Sequence, residues 1–335
     1  MQPNPEFVLQ VNQLSKLYRI ERGLVGTLLR KPVRAVHAVD GVTFTAKQGE
    51  ILGLVGESGS GKTTTALCVL GLVEPSQGEV IFNGQAVSAL SHGKDRLMLR
   101  RQMQMIFQDP YESLNPRQTV FQIIAEPLEI HKLVDSGSEM KARVAAALES
   151  AGLMPPEDFF DRYPEELSGG QRQRIAIASA LVLNPQLLVA DEPVSMLDVS
   201  IRAGILNLLR QLRDKHNITI LYITHDLGTT SYFTDRLAVM YLGQIVEIGP
   251  TLQVLNNPHH PYTRALISVI PVPNPRCRRD RVILTGEIPN PIDLPSGCRF
   301  HPRCPNVMPA CQTIEPLIHA VSQDHYVSCL LYPAN

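Results

Sequence analysis

Eight residues, Gly56 to Thr63, read G-E-S-G-S-G-K-T and have the spacing of a phosphate-binding loop. Gly56, Gly59 and Gly61 let the backbone wrap an anion closely, so that successive N–H groups and a helix start face it. Lys62 can reach the β- and γ-phosphates of a nucleotide, and the Thr63 hydroxyl can ligate Mg2+. Ser58, Ser60 and Thr64 complete the polar lining. A second stretch, "LLVADEP" at Leu187 to Pro193, is an apolar run ending in two acids. That is the pattern of a buried parallel strand delivering carboxylates at its C-terminal end. Asp191 is placed to hold Mg2+ through water, and Glu192 is the candidate general base for an attacking water. A third, "LSGGQRQRIAIASAL" from Leu167, opens a helix with Ser168, Gly169, Gly170 and Gln171. It offers another set of amides and a hydroxyl at a helix N-terminus.

These elements need a frame. The apolar run from Ile51 predicts a strand entering the glycine-rich loop, and helical periodicity resumes after it. "ITILYIT" before His225 predicts another strand. The segments "IIAEPLEIHKL" and "EMKARVAAALESAGL" place apolar residues at helical spacing, which predicts a helical region over about residues 109–178. Hydrophobic residues make up 44% of the 335-residue chain and the net charge is -1, so a sizeable core is available and no electrostatic pull toward nucleic acid is expected. The basic run Arg276 to Arg281 is local and reads as a solvated linker. The N-terminus lacks a signal-peptide pattern, and no apolar stretch reaches ~18 residues, which predicts a soluble, cytoplasmic chain.

In order and spacing these motifs resemble the ATP-binding subunits of ABC transporters, over residues 7 to 250. The resemblance implies ATP and Mg2+ as cofactors and assigns further residues. Tyr18 would stack on adenine, Gln108 would sense Mg2+ and the membrane partner, and Asp198 would cross the interface to a second subunit. His225 would contact the γ-phosphate. The signature at Ser168 to Gln171 would close over ATP held by the other subunit's loop. Ser179 departs from the family, where many relatives carry arginine. The implied fold is an α/β P-loop core with an antiparallel β portion (strands near 7–20 and 37–48), a helical subdomain, and a small irregular C-terminal domain at residues 251–335. The implied mechanism is closure of two subunits around ATP, followed by hydrolysis and release.

After Gly249 the composition turns proline-rich, and "HPYTRAL", "GEIPNP" and "PSGCRFHPRC" resemble the tail of ATPases that energise di- and oligopeptide importers. So do "QDPYESLNPR" and the insertion between Tyr18 and Val39. The resemblance implies two transmembrane permease subunits, a similar second ATPase subunit in a heterodimer, an extracytoplasmic solute-binding protein, and a place at the cytoplasmic face of the membrane. Nickel, glutathione or sugar import by the same type of transporter is an alternative. A soluble ABC ATPase acting on nucleic acid or the ribosome, or an exporter, fits the single P-loop and this tail less well.

Five of six cysteines lie after position 276. Cys298, Cys304, Cys311 and Cys329 fall as C-x5-C-x6-C-x17-C. Those gaps are wide for a zinc ribbon and compatible with an iron–sulfur cluster. The resemblance points to a [4Fe–4S] cluster, with zinc or no metal as alternatives. Its role is expected to be structural, a staple far along the chain from the ATP residues, with redox sensing as an alternative. His301 is a rival ligand, Cys68 reads as core, and Cys277 lies outside the pattern.

Overall fold

A computed structural model describes residues 6–20, 34–90, 93–270 and 281–332. Cys277, most of the Arg276–Arg281 run and most of the insertion after Tyr18 lie outside the described residues. In chain order the strands are β1 (Phe7–Arg19), β2 (Ala35–Lys47), β3 (Ile51–Val55), β4 (Gln77–Phe82), β5 (Gln85–Ala86), β6 (Met103–Ile106), β7 (Leu187–Asp191), β8 (Thr219–Thr224), β9 (Arg236–Tyr241), β10 (Gln244–Pro250), β11 (His319–Ser322) and β12 (His325–Val327). The chain divides into two compact units. One is built on Asn83–Ile223, with residues 46–51. The other gathers Leu9–Thr45, Leu52–Phe82 and the chain from Thr224 onward.

In the first unit β6, β7 and β8 run parallel, with Met103 opposite Leu187 and Leu187 opposite Thr219. Every residue of β7 and β8 is buried, the reason these strands read as continuous apolar runs rather than alternating ones. The helices Val120–Ile130, Gly137–Ser150 and Gly169–Leu181 share a core that includes Leu128, Val144, Leu148, Ile175 and Ala178. Each starts at a side-chain cap: Thr119 and Ser168 form reciprocal capping boxes with Gln122 and Gln171, and Ser136 caps alone. The last of these helices ends at Leu181. The Ser179 hydroxyl donates to the Ile123 carbonyl at 3.4 Å.

In the second unit β2, β1 and β4 lie side by side, with β1 and β4 antiparallel. β3 pairs parallel with β9. From β9 the sheet continues antiparallel through β10, β12 and β11. The C-terminal region therefore adds its strands to the P-loop's own unit. Its Phe300 and Tyr262 are buried with Val55, Val239 and Tyr241 in one apolar cluster. No helix among the described residues is long and apolar enough to cross a membrane.

Candidate nucleotide site and cysteine module

The glycine-rich loop leaves β3 and enters the helix Lys62–Val69. Two of its glycines are required by space: a Cβ on Gly56 would lie 2.2 Å from the Met240 carbonyl, and one on Gly61 would lie 2.1 Å from the Ala38 carbonyl. Gly61 and Gly59 also hold φ of +104° and +77°, where L side chains are strained. Beside Gly59 a Cβ would meet nothing within 4 Å, so the loop opens there into free space. Lys62 is buried and folded back, its Nζ donating to the Gly56 carbonyl at 2.8 Å and the Glu57 carbonyl at 2.9 Å. Ser58 and Thr63 are exposed, Thr64 is half-buried and Ser60 is buried. The helix has no side-chain cap at its N-terminus, an end whose dipole favours an anion.

Within the first unit, Asp191 ends β7 buried, and Glu192 follows in a left-handed conformation with φ of +47°. A glutamate there is strained and persists only when anchored. The anchors are the Glu192 N–H donating to Ile223 at 2.9 Å and its carbonyl accepting from Ser195 Oγ at 3.0 Å. Gln108 Nε2 donates to Glu192 Oε2 at 3.2 Å, so the expected base and the expected Q-loop residue meet. Ser168 and Gln171 spend their side chains on each other in the capping box, which leaves the Gly169 and Gly170 amides without intrahelical partners. Asp198 begins the helix Val199–His216 without capping it through its side chain, and it is exposed beside exposed Met196 and Val199. His225 and Tyr18, in the second unit, are both exposed, with Lys16 Nζ 5.2 Å from the Tyr18 ring centre.

Cys298, Cys304, Cys311 and Cys329 are all free thiols. Burial raises the pKa of Cys298, Cys304 and Cys329, the last to about 11. Cys329 is raised further by each of the other three, and Cys298 by Cys311 and Cys304, so the four sulfurs form one electrostatic group. Opposing this, the amides of Phe300 and His301 point at Cys298, that of Asn306 at Cys304 and that of Leu331 at Cys329. Amides aimed at these shielded sulfurs favour the thiolate form, which is the form that binds a metal. Among the described residues the only set of three His, Cys, Asp or Glu donors within 4.8 Å of one another is Glu247, His259 and His325. His301 Nδ1 lies 2.9 Å from the Cys298 carbonyl, to which it can donate, leaving Nε2 as the ring nitrogen that could act as a ligand. Cys68 is buried in its helix, as expected, and burial pushes its thiol up to about 11.

Two buried features escaped the sequence reading. Arg303, one residue before Cys304, grips the carboxylate of Glu57 in the glycine-rich loop, with Nη1 2.8 Å and Nη2 3.2 Å from its oxygens. Glu247 on β10 is a fully buried carboxylate. Burial alone would raise its pKa. Hydrogen bonds from His325 and from the His259 and His260 amides outweigh that and lower it. Neither residue has a local pattern to betray it; both are defined by partners distant in sequence.

The folded elements thus present a phosphate loop, a strand-end acid pair and a glycine-opened helix N-terminus. A family model described as ABC transporter matches residues 39–195, and one described as Oligopeptide/dipeptide transporter, C-terminal region, matches residues 246–311. The oligopeptide transport ATP-binding protein AppF of Bacillus subtilis is 45% identical over 331 residues, covering 98% of each chain. The oligopeptide transport ATP-binding protein OppF of Escherichia coli is 47% identical over 302 residues, covering 90% of this chain and 89% of its own. A dimeric ATP-binding cassette, solved in a post-hydrolysis state bound to ADP and Pi, superposes with a TM-score of 0.63 at 28% identity, covering 72% of this chain and 98% of its own. The chain belongs to the ABC transporter family as an ATP-binding subunit.

Proposed function

We propose that this chain is the ATP-hydrolysing subunit that energises uptake of di- and oligopeptides through two partner permease subunits, seated at the cytoplasmic face of the cell membrane. The observation that carries the substrate class is the match of residues 246–311 to the oligopeptide/dipeptide transporter C-terminal region, alongside relatives named for oligopeptide transport. A periplasmic or surface solute-binding protein would deliver the peptide. Import of nickel, glutathione or sugar by the same machinery is the competing outcome.

The residues divide the work as follows. The amides of Gly59, Ser60 and Gly61, with Lys62, take the phosphates, and Tyr18 takes the adenine. Thr63, Asp191 and Gln108 would hold Mg2+, which supplies charge stabilisation at the phosphates. Glu192 accepts a proton from the attacking water, whose oxygen bonds to the γ-phosphorus as the bond to the β–γ bridging oxygen breaks, giving ADP and phosphate. His225 orients that water. In the charge build-up Lys62 shares the load with the loop amides. Support for a second, similar ATPase subunit comes from Asp198, whose side chain does not cap its own helix, from exposed Met196 and Val199, and from the dimeric state of the solved relative; that the pair is a heterodimer rests on the resemblance of the tail alone. The signature residues Ser168 to Gln171 would then close over the partner's ATP.

The four thiols Cys298, Cys304, Cys311 and Cys329 would hold a [4Fe–4S] cluster, a reading that rests on their C-x5-C-x6-C-x17-C spacing and on their being free thiols that act on one another electrostatically, with zinc or no metal as the competing outcomes. Two measurements test these assignments. Proteoliposomes carrying the chain with its permease subunits should take up a labelled tripeptide with ATP, and Lys62→Ala should abolish uptake; uptake of another solute but no peptide overturns the substrate class. Anaerobically purified protein should carry about four irons and four sulfides per chain, lost in Cys304→Ser, whereas zinc or no metal overturns the cluster.

A further inference from the structure

Glu57 is the one acidic residue within the glycine-rich loop, and a carboxylate there faces an awkward neighbour. ATP brings several negative charges to this loop, so an unpaired glutamate opposes binding. The structure holds Glu57 from three directions. Its carbonyl accepts from Lys62 Nζ at 2.9 Å, its N–H donates to the Tyr262 hydroxyl at 2.9 Å, and its carboxylate takes both arms of the Arg303 guanidinium. Arg303 is 8% exposed and also lies 5.9 Å from the Tyr241 ring centre. Such a two-armed, shielded pair is among the stronger charge-assisted contacts, and it fixes orientation as well as charge.

Arg303 is not free to wander. It sits on the single 3-10 turn His301–Arg303, between Cys298 and Cys304. Phe300, next to that turn, packs edge-on against Tyr241 at 5.2 Å and against Tyr262 at 5.5 Å. Arg299, beside Cys298, donates to the Leu242 carbonyl at 2.6 Å and pairs with Asp40. The cysteine-bounded turn is thus braced on its N-terminal side, and its guanidinium holds the Glu57 carboxylate of the loop.

We infer that Arg303 is a positioning residue of the nucleotide site: through it the C-terminal module cancels the charge of Glu57 and sets the loop backbone that receives the phosphates. The inference rests on the reading of Gly56–Thr63 as the ATP loop. It does not depend on which metal the thiols hold. Its signature is loss of ATP affinity with the hydrolytic step spared, because Glu192 and Gln108 are untouched.

The test measures ATP dissociation constant, KM, kcat and melting temperature of the full chain. Arg303→Ala should raise the dissociation constant and KM about tenfold with kcat within about twofold, and Arg303→Lys, which keeps charge but not the fork, should fall between. Adding Glu57→Gln to Arg303→Ala should return KM to within about threefold of wild type, since the uncompensated charge is gone. If Arg303→Ala does not fold, the pair Arg303→Gln with Glu57→Gln replaces the ion pair by two amides and should again bind ATP within about threefold of wild type. An unchanged KM in Arg303→Ala, or a raised KM that Glu57→Gln fails to relieve in either background, overturns the inference. Lys62→Ala separates the two readings: if it binds ATP like wild type, it is the assignment of the loop that falls.

Discussion

Replacing His260 by asparagine should remove a specific part of the protein's acid sensitivity. His260 is almost fully buried, ahead of the helix Pro261–Ser268, and its Nδ1 accepts the Tyr262 N–H at 3.1 Å. Capping therefore requires the neutral ring, because a proton on Nδ1 would displace the N–H it caps. Burial, opposed by the nearby Glu247 carboxylate and aided by Arg264, lowers its pKa from 6.5 to about 4. Between those values the unfolded chain binds a proton that the folded chain refuses. The stabilisation is therefore complete above pH 6.5 and is lost as pH falls toward 4. At pH 5 the unfolded histidine is nearly all protonated and the folded one about a tenth so, which corresponds to about 2 kcal/mol lost relative to pH 7.5. Asparagine can accept the same N–H through its carboxamide oxygen and does not titrate. Urea unfolding of wild type and His260→Asn at pH 7.5 and 5.0 reads the difference directly. The variant starts lower at pH 7.5, since the smaller side chain leaves a gap against Phe300, whose ring centre is 5.5 Å away. What matters is the slope. Wild type should lose about 2 kcal/mol more than the variant over that interval. Equal losses would show that His260 takes up its proton in the folded chain as readily as in the unfolded one.

Glu192→Gln keeps the backbone anchors to Ile223 and Ser195 and removes only the base, so steady-state phosphate release should fall about 10²- to 10⁴-fold while ATP affinity is retained; undiminished turnover would move the base elsewhere. Gly61→Ala combines φ of +104° with a Cβ 2.1 Å from the Ala38 carbonyl, and should lose ATP binding together with several degrees of melting temperature, about 2 kcal/mol or more. Gly59→Ala, where a Cβ meets nothing within 4 Å, should cost only the backbone term of about 1 kcal/mol, and a loss as large as that at Gly61 would refute the steric argument.

The sequence made legible what depends on neighbours in the chain. The loop at Gly56–Thr63, the buried strand ending at Asp191 and the capped helix at Ser168 each carry their signal within some ten residues, because strand period, glycine φ and cap chemistry are local. The left-handed backbone of Glu192 was not legible. Glutamate is a poor occupant of that region, and only the hydrogen bonds to Ile223 and Ser195 show why it stays. Nor was the partnership of Gln108 with Glu192, which lie 84 residues apart.

The C-terminal region shows the same limit from the other side. Cysteine spacing and proline content present residues 298–329 as a self-contained staple, with a role distant from ATP. Yet its ties run outward: Arg303 to Glu57 across 246 residues, Arg299 to Asp40 across 259, and His325 to Glu247 across 78 at 2.8 Å. β12 completes the sheet at β10, and Phe300 fills the cluster of Tyr241 and Tyr262, all three nearly inaccessible to solvent. Removing the region would bare those rings, leave the Glu247 carboxylate without its imidazole and leave Glu57 without its counter-charge. Each is a change of the kind that costs buried groups about 1–5 kcal/mol. The thiols are therefore placed to do more than close a tail on itself. Whatever fixes their spacing also fixes the turn that carries Arg303, and through it the loop that meets the phosphates.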